Sequence, residues 1–132
     1  MPQLQNLVLT DRAATPVNHT FSPINIDANG VAVVGEVSGV PIGEPKYTLQ
    51  NKRVNGRFKV TLKLSVPVVS TQTINGISTP VVVRTAYVDA MFTFDATSSE
   101  QERKDIVGMF QSSLDTGKVL VNDTLVKLQG IF

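Results

Sequence analysis

Three Asn-Gly pairs, at Asn29-Gly30, Asn55-Gly56 and Asn75-Gly76, punctuate this chain, and each lies between runs of β-prone residues. Both residues of the pair tolerate positive φ, so Asn-Gly is the strongest short-range hairpin signal. Three in succession direct the chain into an antiparallel meander. The spacing predicts strands at Leu4–Thr10, Thr20–Ile26, Val31–Val37, Lys46–Val54, Arg57–Val66 and Val81–Phe94, with Pro41 and Pro45 bracketing a loop. Val is conspicuous, aromatic content is 6% and Trp is absent, so Val, Ile, Leu and Phe must build the core.

After Phe94 the pattern changes. Thr97-Ser98-Ser99-Glu100-Gln101-Glu102 offers overlapping capping boxes, and Ile106, Val107, Phe110 and Leu114 recur at helical spacing before Gly117 closes the segment. A second short helix is expected over Leu120–Leu128, with Leu120, Leu125 and Leu128 as its apolar positions. Sheet first and helices last is an α+β layout, and 132 residues make one domain, with sheet over 1–95 and helices over 96–132. Two short helices are little cover for six strands, so burial of the sheet calls for a partner subunit. The N-terminus lacks a charged leader followed by an apolar run, and no stretch has the apolar length of a membrane span; a soluble protein without membrane attachment is expected.

Charge is distributed unevenly. Between Glu44 and Asp89 there is no acid, yet the interval holds Lys46, Lys52, Arg53, Arg57, Lys59, Lys63 and Arg84, so a formal net charge of +1 conceals a cationic middle. A patch of this kind is the electrostatic footprint of a surface that meets a polyanion. A two-residue loop at Asn55-Gly56 fixes the register around it: Lys52 faces Lys59, Gln50 faces Thr61, Thr48 faces Lys63 and Lys46 faces Ser65 on one side. Tyr47, Leu49 and Asn51 then oppose Leu64, Leu62 and Val60 on the other. Lysines directly opposed in a sheet repel, and a bound phosphate backbone would remove that penalty.

The last strand extends the polar face only in one register. A tight turn at Asn75-Gly76 would set Asp89 opposite Leu62, burying a carboxylate among aliphatics. A shift of one residue sets Asp89 beside Thr61 and Tyr87 beside Lys63, so a longer, adaptable loop is expected over Val68–Pro80. Tyr87 then supplies a stacking ring next to cations, as recognition of unpaired RNA bases requires.

Other chemistries find little support. The absence of Cys excludes disulfides and thiolate metal sites. His19, the single histidine, reads as a surface or turn residue beside a Pro and several Thr. Asp89 and Asp95 have no partner that would make an acid/base pair, and Glu100, Glu102 and Asp105 are the charges favoured at a helix N-terminus. No phosphate loop is present. No enzyme, cofactor or metal is expected.

The chain resembles the coat proteins of the small single-stranded RNA bacteriophages, the levivirus family. The resemblance runs end to end: the LQNLVLTDR opening, ANGVA around Val31, KVTLKLSVP, TQTINGISTPVV, RTAYVDAMF, SSEQERKDIVGMF and the closing LQGIF. It implies a sheet lining an icosahedral shell, helices packing across a homodimer, and a dimer that binds an RNA stem-loop serving as translational operator and packaging signal. The implied partners are the viral genomic RNA, its operator stem-loop and further copies of the chain; the implied location is the virion, after synthesis in the host bacterial cytoplasm. Carried over by position, Val31, Thr48, Gln50, Thr61 and Lys63 line a pocket for unpaired adenines, Tyr87 stacks on a loop base with Asp89 beside it, and Lys46, Lys52 and Lys59 contact the backbone. Gln50 stands where Ser is common in the family. An acid at Asp89 would select a base edge that offers a donor. The alternative is a non-viral β-sheet RNA-binding module that does not assemble, but such proteins usually carry stronger overall basicity.

Overall fold

Asn55 and Gly56 adopt φ of 51° and 74°, and Asn75 and Gly76 adopt 53° and 77°. Successive left-handed residues make the tight hairpin turn whose twist matches that of the flanking strands, so both pairs reverse the chain within two residues. Asn29-Gly30 works differently. Gly30 N–H donates to the Asp27 carbonyl (3.1 Å), Gly30 takes φ 78°, and Asp27 N–H donates to the Val31 carbonyl (3.0 Å), giving a three-residue loop. The Asp27 carboxylate organises that loop by accepting the N–H groups of Asn29 (2.8 Å) and Val31 (2.9 Å).

The computed structural model describes residues 2–37 and 41–132. These hold β1 (Leu7–Thr10), β2 (Asn18–Ile26), β3 (Ala32–Gly35), a 3₁₀ turn (Pro41–Gly43), β4 (Lys46–Val54), β5 (Arg57–Ile74), β6 (Ile77–Asp95), α1 (Glu100–Ser113) and α2 (Val119–Leu125). The strands form one sheet in sequence order. The α+β meander followed by two helices is therefore as the sequence implies. The chain divides into two compact units, Met1–Thr93 and Phe94–Phe132.

Several boundaries differ from expectation. The first and third strands are shorter, the second begins at Asn18, and the expected end of the third strand at Val37 gives way to Gly35. The largest correction concerns Val68–Pro80, expected as a long loop: β5 runs on to Ile74, β6 begins at Ile77, and the Thr73 and Ser78 hydroxyls meet across the turn at 3.4 Å. A loop was expected there to keep Asp89 off a buried face. In the structure Asp89 is exposed with β6 still entered through a tight turn, and the half-buried positions of β6 change parity, from Val81 and Thr85 to Ala90 and Phe92.

In the sheet unit, the row Pro23–Val34–Tyr47–Leu64 crosses β2 to β5 on one face, followed by Ala32–Leu49–Leu62. Val34 is 1% exposed and Phe21 3%; they are the buried apolar side chains among the described residues. Burial also pushes the Tyr47 phenol pKa up from its usual value. In the helical unit, Ser99 is the N-cap, its hydroxyl accepting Glu102 N–H at 3.2 Å as the capping box requires. Arg103 steadies the same turn by donating to the Ser98 carbonyl (2.6 Å). The helix closes at Leu114, before Gly117, and α2 stops three residues short of its expected end. No helix among the described residues is long and apolar enough to cross a membrane.

Candidate nucleic-acid interface

The ladder between β4 and β5 has Lys46 opposite Ser65, Thr48 opposite Lys63, Gln50 opposite Thr61, Lys52 opposite Lys59 and Val54 opposite Arg57. Side chains directly opposed in an antiparallel pair share a face, and the next pair along points the other way. One face of this hairpin therefore carries four lysines, an arginine, three hydroxyls and an amide. Every pair matches the register deduced from Asn55-Gly56. Arg53 leaves the cationic set: it pairs with Phe58 on the opposite face, with its guanidinium 5.4 Å from the ring centroid.

Strand β3 continues the polar face. Gly35 pairs with Lys46 and Val33 with Thr48, and Val31 immediately precedes Ala32, whose partner Leu49 is next to Gln50. The Gln50 amide donates from Nε2 to the Asn29 carbonyl at 3.2 Å. A carbonyl only accepts, so the nitrogen must be the atom that faces it and Oε1 points elsewhere. Gln50 is thus tied to the loop that the Asp27 carboxylate shapes. That link was not read from the sequence, although Asp-x-Asn-Gly carries the signal for such a turn.

Tyr87 and Asp89 lie on β6, the hydrogen-bonded neighbour of β5. Both residues are exposed. The Tyr87 residue is 76% exposed, so its ring is open to stacking. Val31, Lys46, Thr48, Gln50, Lys52, Lys59, Thr61 and Lys63 are therefore gathered by β3, β4 and β5, while Tyr87 and Asp89 come from the adjoining strand. Chemically, ammonium groups at strand spacing suit phosphates, and hydroxyls and an amide around Val31 suit the edges and face of a base. Among the described residues no group of His, Asp and Glu is arranged to hold a metal ion.

His19, expected on the surface or in a turn, sits within β2 opposite Leu9, with 34% of its side chain exposed. Its Nε2 lies 2.7 Å from Asp11 Oδ2 and its Nδ1 3.0 Å from Glu36 Oε1. The partners stand 8 and 17 residues away in sequence, which is why no local pattern announced them.

Comparison with known proteins gives a consistent result. The family model described as Levivirus coat protein matches residues 2–132. The capsid protein of Pseudomonas phage PRR1 is 56% identical over 131 residues, covering 98% of this chain and 99% of that protein. Among solved structures, the virus-like particle of bacteriophage NT-214 superposes with a TM-score of 0.85 at 28% identity, over 99% of this chain and 100% of that one. The capsid protein of bacteriophage GA does so with a TM-score of 0.80 at 25% identity, over 97% of each chain.

Proposed function

This chain belongs to the levivirus coat protein family, and from that premise we propose that it assembles as homodimers into an icosahedral shell, packages the viral RNA and represses translation by binding an RNA stem-loop. The observation that carries the RNA half of the reading is the β4–β5 lattice, with cations and hydroxyls on one face and aliphatics on the other. Lys46, Lys52 and Lys59 hold phosphates; Val31, Thr48, Gln50, Thr61 and Lys63 surround an unpaired base; Tyr87 stacks on a second, with Asp89 accepting from its edge. The whole chain acts as one coat domain, with the segment after residue 95 serving dimerisation. Support for the dimer comes from exposed apolar side chains on the helices: Met109 is 64% and Leu120 68% exposed. The chain has a structural role with no catalytic step, is made in the host bacterial cytoplasm and ends in the virion.

The experiment separates attraction from recognition. Stem-loops taken from the genome that encodes this chain are compared with scrambled stems of equal length, at two salt concentrations. Lys52→Ala and Lys59→Ala are expected to weaken both classes and to flatten the salt dependence. Tyr87→Ala removes a stacking ring worth about 1–3 kcal/mol, so it should cost preference for one stem-loop while general binding and particle formation survive. Equal losses on both RNAs would reduce the face to a cationic lining. A monomer or lone dimer in size-exclusion chromatography would favour a binding module over a shell.

A further inference from the structure

Both ring nitrogens of His19 are within hydrogen-bond distance of carboxylate oxygens: Nε2 of Asp11 Oδ2 at 2.7 Å, and Nδ1 of Glu36 Oε1 and Oε2 at 3.0 and 3.1 Å. An ionised carboxylate only accepts, so each nitrogen must bring a proton, and an imidazole with both protons is the imidazolium. A neutral ring has one N–H and can satisfy one carboxylate, leaving its lone pair facing the other. We propose that His19 is a proton-operated clasp: when protonated it ties the end of β1, through Asp11, and the exit of β3, through Glu36, onto β2, and when deprotonated it lets one of them go.

The three groups come from separate parts of the sheet. Asp11 follows β1 directly, His19 lies in β2 opposite Leu9, and Glu36 follows the last residue of β3. The same groups form the polar rim of a groove of about 400 Å³, the rest of which is lined by Leu9, Thr10, Phe21, Pro45, Leu64 and Val66. Among the described residues, Asp11 and Glu36 are therefore the titratable groups that face the ring; the strands packed around it present no other to the groove. Lys46 starts β4 nearby but is opposite Gly35, one residue out of phase with Glu36, and so belongs to the other face.

The sign of the effect follows from the clasp. Hydrogen bonds to Asp11 first, and then to Glu36, raise the pKa of His19 above its ordinary 6.5. Stability gained from the protonated ring is fully present below about 6.5, the unfolded value, and is lost as pH rises through the higher folded value. The clasp is thus shut in mildly acidic medium and loosens toward alkaline pH, when β1 is freed from β3 at the groove.

The test is thermal unfolding of the assembled protein from pH 5 to pH 9 for the wild type, His19→Gln and Glu36→Gln. A glutamine at 36 can donate to a neutral ring while the ring donates to Asp11, so Glu36→Gln should hold the clasp without the extra proton. The wild type is expected to lose melting temperature above pH 6.5, and His19→Gln to show no such loss. Glu36→Gln, which leaves the Asp11 bond in place, should lose less stability between pH 6 and pH 8 than the wild type. Hydrogen exchange of the Leu7–Thr10 peptide, corrected for intrinsic rates, should accelerate over the same interval in the wild type and less in Glu36→Gln. Parallel losses above pH 6.5 in the wild type and Glu36→Gln, or a loss that survives His19→Gln, would overturn the proposal. If His19→Gln fails to fold, the comparison of the wild type with Glu36→Gln decides alone.

Discussion

Lys59→Glu tests whether the sheet gives up stability for its cationic face. Lys59 is directly opposite Lys52 and shares its face with Arg57 two residues away. Opposed β-carbons are about 5 Å apart, and flexible side chains can spread their ammonium groups to about 8 Å, where the repulsion in water is about 0.5 kcal/mol. Glutamate at 59 converts this to an attraction of similar size, within the range of about 0.2–1 kcal/mol measured for cross-strand charge pairs. The substitution should therefore stabilise the free protein by about 1 kcal/mol at low salt, a rise of roughly 3 °C in Tm for a domain of this size. In 1 M salt the Debye length falls to about 3 Å and most of the gain should vanish. Affinity for RNA should move the opposite way, and the salt slope should fall by about 0.7–0.9 for every phosphate that the variant no longer neutralises. Urea unfolding in low and high salt reads the first effect, and filter binding across a salt series the second. A variant that is less stable at low salt, or whose gain persists unchanged in 1 M salt, would refute the reasoning.

Other parts of the fold are open to equally direct tests. Phe110→Asp places a charge on the apolar side of α1 and should abolish folded protein; a stable folded monomer in sedimentation analysis would contradict obligate dimerisation. Val34→Ala removes two methyl groups from a site 1% exposed and should cost about 2–3 kcal/mol in urea unfolding. Gly76→Ala forces an L-residue into φ 77°, a cost of about 1–2 kcal/mol; under the shell reading it should also broaden the particle sizes seen by electron microscopy. Backbone N–H groups of Val17 and Ala13, with His19, hold the Asp11 pKa at about 2, below the usual 3.8. Its contribution is present above pH 3.8 and lost as pH falls toward 2, so Asp11→Asn should flatten acid unfolding in that interval.

The hairpin around Asn55-Gly56 was legible residue by residue because a two-residue loop leaves no freedom in the pairing beyond it. The capping box at Ser99 was legible for a similar reason, since all its parts lie within four residues. Val68–Pro80 reads as a loop despite its plain turn signal only if Leu62 and Leu64 form a fully buried surface. A single chain leaves both half-buried, and the parity change along β6 is invisible in residue types. The polar face was found because lysines and hydroxyls alternate with aliphatics. The clasp at His19 and the tie between Gln50 and Asn29 were not, because both join residues that only the finished sheet brings together.

The two-faced hairpin also sets which genetic accidents the chain can survive. A substitution in β4 or β5 changes one side chain, whereas a single inserted or deleted residue reverses the facing of every residue between it and the end of the strand. An insertion after Tyr47 would turn Thr48, Gln50 and Lys52 toward the aliphatic side and Leu49 and Asn51 toward the lysine side if the start of the strand kept its place, or exchange the facing of Lys46 and Tyr47 if the hairpin kept its place. Length changes in these strands should therefore be tolerated only in pairs or at the Asn-Gly turns. Inheritance of the hairpin is governed by reading parity as much as by residue identity.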